Sequence, residues 1–530
     1  MPPAMATGSA AVSAPITTRQ EPGATSAGTA AMLAMALLSL AIHLAVNALG
    51  RYGYFRDELY YIACSKRLAA GYVDQPPLSM FVLAAARLLL GDSVFAIRLV
   101  PALLSSLSVI ALCLLVRRMG GRGTAMTVAS LCFLAAPLLL GTHTYYSMNS
   151  FDLFFWLLAA HALLGVSDRP SLSAWLGLGA ILGLGLLNKT SVLWLAAGVA
   201  AAVLFTSLRR ELRRPGPWVA AALALLIFSP FVLWNVRHGL PHLEFMRNAT
   251  SEKYASLTRM RFLLDQLMGM NPVVFLVALP GLGWCMYDRD GRRYRALGVV
   301  FLTVFAILLA NAHTKAEYVA ASYPPLFACG AVALTRFPER GRRFVVATVG
   351  GLLVVTGAAF APLAMPILST ADYVRYTKAL GIVESSVENK KLSDLPQFFA
   401  DMNGWEELAR DVSAAYRTIP PSERGTTVAL VGNYGEAGAL ELYATRYDLP
   451  RVICSHNSYW LWGPGAAPIT TFIRLGGKRE DYLERYGDVT SAGMHFAAHA
   501  MPYEDSLGIF IARGRVRPIQ QDWPKAKHFE

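Results

Sequence analysis

AAMLAMALLSLAIHLAVNALG (residues 30–50) is an unbroken apolar run that opens directly onto RYGYFRDELYYIACSKRLAAGYVDQPPLSMF (residues 51–81), where charges, rings and prolines crowd together. A run of that length crosses the hydrocarbon core of a bilayer as a helix, which takes about 20 residues. It is too long for the apolar part of a cleavable signal and no convincing cleavage site follows, so it reads as a retained signal anchor. The charged segment then lies at a membrane surface. There, Asp57 and Glu58 stand side by side among Arg51, Arg56, Lys66 and Arg67, with Asp74 further on.

Outward from this junction, the composition is that of a membrane protein. Of the 530 residues, 55% are hydrophobic and 16% charged, against roughly 25% charged in an average soluble domain. Apolar runs of membrane-crossing length recur from about 29 to about 364, and polar residues become frequent after that. The expected organisation is a tail over 1–28, rich in Ala, Ser, Thr, Pro and Gly and read as disordered, a membrane domain over 29–364, and an aqueous domain over 365–530. The net charge of +13 does not mark a nucleic-acid binder, because the arginines are spread between apolar runs and not gathered on one soluble domain. The six cysteines form no framework and no CxxC pair. Cys64 and Cys454 alone fall in aqueous segments, which leaves a bond between them open.

Crossings are expected near 30–50, 95–116, 124–141, 148–166, 173–188, 190–207, 217–236, 263–286, 296–312, 318–335 and 344–363, eleven in all. The short apolar stretch 78–90 carries Arg87 and reads as a helix lying at the interface. With a cytoplasmic amino terminus, the clusters around Arg117 and Arg118, Arg209 to Arg214, Arg289 to Arg295 and Arg336 to Arg343 all fall on the inner side, as the positive-inside rule requires. The 51–94 loop and the 365–530 domain then both lie outside the cytoplasm.

The outer loops differ chemically from the inner ones. GTHTYYSMNSFD (141–152), NKTS (188–191), RHGLPHLEFMRNATSEKY (237–254) and NAHTKAEYVAASYPP (311–325) carry acids, histidines, lysines and rings. Ionisable groups at membrane depth are costly and mark function by default; as single residues they also cap helices and snorkel. A site of this kind at an interface suits a substrate that is half lipid and half polar, such as a polyprenyl-phosphate sugar. Its phosphate needs cationic donors, its sugar needs polar and aromatic neighbours, and transfer to a hydroxyl needs a carboxylate to take the proton. Asp57 and Glu58 are the candidate catalytic acids. Lys315, Arg237 and Lys189 are the candidates for the phosphate, with Lys315 also able to pair with Glu317. His143, His238, His242 and His313 show no ligand spacing, so no metal site and no cofactor is expected, although a divalent metal is chemically compatible. Tyr60, Tyr61, Tyr145 and Tyr146 suit either sugar stacking or an interfacial belt.

The loop RDELYYIACSKRLAAGYVDQPPL (56–78), RHGLPHLEF (237–245), HTKAEYVAASYPPL (313–326) and the series of spans followed by an outer domain resemble the bacterial family 39 glycosyltransferases. These belong to the GT-C class and are related to protein O-mannosyltransferases and to the aminoarabinose transferases that modify lipid A. The resemblance runs over about 30–530 and is strongest in the first loop. It implies a GT-C-like polytopic α-helical fold with an extracytoplasmic α/β domain in a bacterial inner membrane. It also implies an inverting transfer from a polyprenyl-phosphate donor to a lipid, glycan or protein hydroxyl, with little or no dependence on metal and with Asp57 as the general base. On the same resemblance the substrate side includes Asp74 and Gln75, at positions where the lipid A enzymes use an acid and a lysine. The remaining substrate-side candidates, taken from the chemistry of the outer loops, are Tyr60, Tyr61, Asn149, Asp152, Lys189, Arg237, His313, Lys315 and Glu317. The competing reading is a transporter or flippase of lipid-linked substrates. No internal repeat is present, and the charges gather on one face instead of at mid-depth, where transporters place them.

In the aqueous domain, TTVALVGNYGEAGALELYATRYDLP (426–450) reads as strand, Gly-rich turn and helix. GNYGEAG has the spacing of neither a phosphate loop nor a dinucleotide fingerprint. SHNSYWLWGPG (455–465) is rich in rings and hydrogen-bonding groups and suits either a roof over the site or packing against the membrane domain.

Overall fold

The computed structural model describes residues 22–253, 258–311, 315–382, 388 and 390–530. The first helix, α1 (Pro22–Leu49), begins inside the segment whose composition suggested a tail. The short helix α2 (Arg56–Ser65) follows, then the apolar α3 (Leu78–Leu90) and α4 (Val94–Arg118). α3 ends in Leu88, Leu89 and Leu90, all exposed, the pattern of a helix that meets lipid.

The chain is a polytopic α-helical membrane protein with a C-terminal β-sheet domain. Six helices among the described residues are long and apolar enough to cross a bilayer: Ser26–Leu49, Val94–Arg118, Met148–Asp168, Gly216–Arg237, Gly291–Ala310 and Glu339–Ala364. Two pairs bent by 95° and 88°, Val192–Phe205 with Ser207–Arg213 and Arg259–Gly269 with Pro272–Tyr287, raise the number to eight. The expected eleven is therefore not reached by length and composition. Three of the expected crossings coincide with the shorter apolar helices Gly123–Ala135, Leu172–Asn188 and Pro324–Leu334. Pro137, which begins a new helix directly after the first of these, and Pro324, at the start of the third, interrupt helices that hydropathy alone joins, because proline lacks the amide proton and clashes with the preceding turn.

Close helix approach depends on small residues. A Cβ on Gly281 would lie 2.3 Å from the Leu326 carbonyl oxygen, and one on Gly330 would lie 1.9 Å from that of Val277, so Phe275–Tyr287 and Pro324–Leu334 touch backbone to backbone. At one end of the bundle the arginine loops come together: Arg118 pairs with Asp168 at 2.8 Å and Arg336 with Asp290 at 2.6 Å, while Tyr294 donates to the Arg118 carbonyl. α4 runs from the first loop at Ser93 to this arginine end at Arg118, which separates the two by a whole helix.

Among the described residues the C-terminal domain holds five strands, β1 (Thr427–Val431), β2 (Arg451–Cys454), β3 (Thr471–Leu475), β4 (Tyr486–His495) and β5 (Leu507–Arg515), in the order β2-β1-β3-β5-β4. β1 is parallel to β2 and β3, and β5 is antiparallel to β3 and β4. The strand, turn and helix expected over 426–450 are β1 and the helix Tyr434–Tyr447. One sheet face, with Ala429, Val431, Ile473 and Ile511, shares a single hydrophobic core with α2 and with the helices Trp405–Arg417 and Tyr434–Tyr447. Cys64 and Cys454 both lie in that core as free thiols.

The glycine contact yields a test. Gly330→Val should lower the thermal midpoint of the detergent-solubilised protein by the equivalent of about 1–3 kcal/mol or more, the scale of overpacking. Gly341→Ala, where nothing lies within 4 Å of the added carbon, should leave it unchanged or slightly raised. Equal midpoints for the two variants would refute the close approach.

Candidate active site

α2 starts where it does because Glu58, in its first turn, reaches back to accept the Phe55 amide proton at 2.8 Å, and because two carboxylates in a first turn complement the helix dipole. Glu58 is fully buried. Its oxygens also accept from Arg98 Nε at 2.9 Å and Nη2 at 2.7 Å, and from the Tyr146 amide at 2.7 Å. Arg98 is the one charged residue in the body of α4 before its terminal arginines, and it also donates to the Gly53 carbonyl. All four donors converge on one carboxylate, which fixes the start of α2 to α4 and to the segment before the helix Met148–Asp168.

Asp57, one residue earlier, is half-buried and turned towards the C-terminal domain. Tyr434 Oη donates to its Oδ1 at 2.9 Å. Tyr434 is the first residue of its helix, which Asn433 caps by accepting from the Gly435 and Glu436 amides. Added Cβ atoms at Gly435 and Gly438 would lie 2.7 Å from Arg56 Cγ and from the Leu59 backbone. The GNYGEAG stretch is thus the contact that lets this helix cross α2 closely. Further along, Arg67 forms a two-pronged pair with Glu441 at 2.9 and 2.6 Å.

Arg56 lies buried between the Tyr434 ring, 4.6 Å from its guanidinium carbon, and Tyr503, to whose hydroxyl it donates at 3.0 Å. Next to it is Asp401, also buried. Burial pushes the Asp401 carboxyl up to about 6, against the lowering pull of Arg56, and the nearby charges of Asp57 and Glu388 push the same way.

The other expected residues fall into separate groups. Tyr60 donates to Asp74 at 2.8 Å and contacts Ser458 Oγ at 2.7 Å, so SHNSYWLWGPG packs on the first loop. Tyr61 is buried within electrostatic reach of both Asp57 and Asp74. Gln75 is fully buried, with its amide on Met80 Sδ. Lys189 donates to Asn149 at 2.6 Å, lies 3.8 Å from Asp152 and stands over the Tyr318 ring; Asp152 accepts from Ser191 and Trp156. Asn149 contacts the Tyr145 hydroxyl, and the Tyr145 ring meets Phe55 edge-on at 4.8 Å, which joins this group to the start of α2. Lys315 pairs with Glu388 at 3.0 Å, not with Glu317; Glu317 is exposed, within electrostatic reach of Tyr145. Arg237 lies exposed at the end of its helix, outside these groups. His313 lies outside the described residues.

Sequence reasoning missed Tyr434, Asp401, Glu388 and Arg98 as parts of this site. Only Arg98 carried a usable signal, a lone arginine inside an apolar run.

Residues 74–234 match the family model of dolichyl-phosphate-mannose-protein mannosyltransferases. The lipid A galacturonosyltransferase RgtD of Rhizobium johnstonii is 27% identical over 265 residues, covering 48% of this chain and 54% of that protein. An undecaprenyl phosphate-alpha-4-amino-4-deoxy-L-arabinose arabinosyl transferase of Pseudomonas fluorescens is 33% identical over 168 residues, 31% of this chain and 29% of that one. The matched stretch therefore spans about half the length of the first curated relative and under a third of the second. Among solved structures, ArnT from Cupriavidus metallidurans bound to undecaprenyl phosphate superposes with a TM-score of 0.58 at 16% identity, over 91% of this chain and 97% of that one. Its apo form gives 0.60 at 15% identity. At such identities the likeness is one of fold.

Two tests follow from this geometry. Glu58→Gln leaves Arg98 a buried charge without its counter-ion, which costs about 3–5 kcal/mol; the variant should express poorly or unfold at clearly lower temperature, and wild-type stability would remove the clamp. For Asp401, a folded pKa near 6 above the ordinary 3.8 means that its contribution is present at low pH and is lost as pH rises through 6. The Asp401→Asn protein should therefore gain on the wild type in thermal midpoint from pH 4 to pH 7, and a gap independent of pH would count against the raised value. The chain therefore carries a segment, residues 74–234, similar to the dolichyl-phosphate-mannose-protein mannosyltransferase model, and shares its overall fold with the solved ArnT structures.

Proposed function

We propose that the chain is an integral-membrane glycosyltransferase that moves a sugar from a polyprenyl-phosphate donor to a hydroxyl acceptor, with inversion at the anomeric carbon and Asp57 as the general base. The observation that carries this reading is the division between two adjacent acids. Glu58 has its oxygens taken by four donors, whereas Asp57 is half-buried and oriented through Tyr434. A carboxylate that is positioned but reachable is what proton removal from an attacking hydroxyl needs. In that step the hydroxyl oxygen bonds to the anomeric carbon, its proton passes to Asp57, and the bond to the phosphate oxygen breaks. The departing polyprenyl phosphate needs cations, for which Lys189 and Lys315 are suited. Undecaprenyl phosphate in the ArnT structure of the same fold, and the sugar-transferring relatives, support a donor of this class.

The reading includes eleven crossings, the three short apolar helices counted with the eight. It sets the first loop, 51–94, and the 365–530 domain outside the cytoplasm of a bacterial inner membrane. The grouping of arginine loops at the opposite end of α4 supports this orientation, because cytoplasmic loops carry the excess of arginine.

Asp57→Asn should lower turnover by roughly 100-fold or more, the scale of lost general-base catalysis, while donor binding and thermal midpoint stay near wild type. The assay is transfer in liposomes from undecaprenyl-phosphate sugars, run beside a donor-binding measurement. Near-normal turnover would rule out the assigned base.

A further inference from the structure

The two faces of the C-terminal sheet are unlike. One joins the core shared with α2, whereas the other, with Val428, Leu430, Phe472, Tyr486 and Phe510, is covered by Tyr482, Ile519 and Trp523. On this second face strand alternation calls for apolar residues, yet Arg474 follows Phe472 in β3. Arg474 donates to the Leu430 carbonyl at 3.2 Å and stands 5.0 Å from the Tyr482 ring. Gly514, at φ +63°, turns the end of β5, and Arg515 comes to lie over the Phe472 and Tyr486 rings. Between sheet and cover is a cavity of about 660 Å³ whose lining includes Gly432, Ser455, Arg474, Arg515 and Trp523.

We propose that this cavity is a second ligand site, for an anionic saccharide: a sugar bearing a phosphate or a carboxylate. Its lining carries five cations, Arg474, Arg485, Arg515, Arg517 and Lys525, against two acids, Glu484 and Asp522. Asp522 is already taken by Arg515 at 2.7 Å. Arg485, Arg517 and Lys525 are exposed and have no side-chain acceptor among the described residues, and the Nε atoms of Arg474 and Arg515 are buried without a partner. Guanidinium groups are the side chains suited to a carboxylate or phosphate, and rings beside them suit the apolar face of a sugar. The volume lies in the range that holds whole small molecules, of the order of 300–1,000 Å³, far more than an inorganic anion fills. That the ligand is a saccharide rests on the transferase reading; that it is an anion rests on the lining alone. The cavity also adjoins the reaction site through two short connections. Gly432 precedes Tyr434, the partner of Asp57, by two residues, and Ser455 precedes Ser458, the partner of Tyr60, by three.

The test uses the full chain purified in detergent, with glucose 1-phosphate, glucose and inorganic phosphate as probes in titration calorimetry. Saturable binding of glucose 1-phosphate is expected, with inorganic phosphate roughly 10-fold weaker or more and no binding of glucose. The double variant Arg485→Ala/Arg517→Ala, altered only at exposed positions, should lose roughly 10-fold or more in affinity at an unchanged thermal midpoint, since charge-assisted hydrogen bonds are the strong ones. No saturable binding, or equal binding by the double variant, overturns the site. Transfer assays then identify the source of the ligand. If it is the charged saccharide of the acceptor, glucose 1-phosphate competes with acceptor, and the double variant raises acceptor KM while kcat and donor KM hold. If it is a free effector, glucose 1-phosphate changes wild-type transfer without competing, and the double variant no longer responds. Binding is read without turnover, so a chain that binds the probe but transfers no sugar would refute the transferase reading and keep the anion site.

Discussion

The site depends on the ion pair between Glu58 and Arg98. Both side chains are withdrawn from water at the edge of the membrane domain, 0% and 5% exposed, where desolvation of each ion costs several kcal/mol. Such a pair repays that cost better the more of its remaining donors and acceptors are met, and here Glu58 also accepts the Phe55 and Tyr146 amides and Arg98 also donates to the Gly53 carbonyl. The pair therefore ties three stretches of chain to one point, the approach to α2, the body of α4 and the turn before Met148–Asp168. A hydrophobic substitute of equal volume could fill the space but could not fix the direction in which α2 leaves it. That direction sets where Asp57 stands.

Adjacent acids on a helix point about 100° apart, and the first turn of α2 uses this. Glu58 faces the membrane domain and Asp57 faces the C-terminal domain, so one side chain anchors the helix while its neighbour is presented to whatever enters between the domains. Tyr434 then limits the rotation of the Asp57 carboxylate. Asp401 plays a different part. Buried beside Arg56 and within reach of the charges of Asp57 and Glu388, it holds its proton to higher pH, which lessens the repulsion that three ionised carboxylates would exert on one another.

The features legible in the sequence are those written in local pattern. The apolar runs, the strand and helix over 426–450 and the grouping of arginines all follow from periodicity and charge within a few residues. Hydropathy failed at breaks in helices, as at Pro137 and Pro324, where a continuous apolar run becomes separate short helices. It also failed wherever the partner is distant in the chain. Tyr434 reaches Asp57 across 377 positions, and Lys315 takes Glu388 across 73 in place of the nearby Glu317. No spacing rule marks such pairs. GNYGEAG was legible as a turn but not as a docking surface, because the reason for Gly435 and Gly438 is the Arg56 side chain and the Leu59 backbone lying against them.

These long-range contacts make the C-terminal domain part of the site and not an appendage to it. α2 is held from the membrane side by Arg98 and from the other side by Tyr434 and the Arg67–Glu441 pair. Neither domain alone fixes both the position of the helix and the orientation of the Asp57 carboxylate. Loosening the Gly435 and Gly438 contacts would move Tyr434 away from Asp57 without touching the membrane domain, and breaking the Glu58 clamp would move Asp57 away from Tyr434 without touching the sheet. The two kinds of damage differ in energy, since the first removes close packing and one hydrogen bond at a partly exposed carboxylate, whereas the second leaves a charge buried alone. Stability therefore resides mainly on the membrane side of α2, and the fine placement of Asp57 resides on the side of the C-terminal domain.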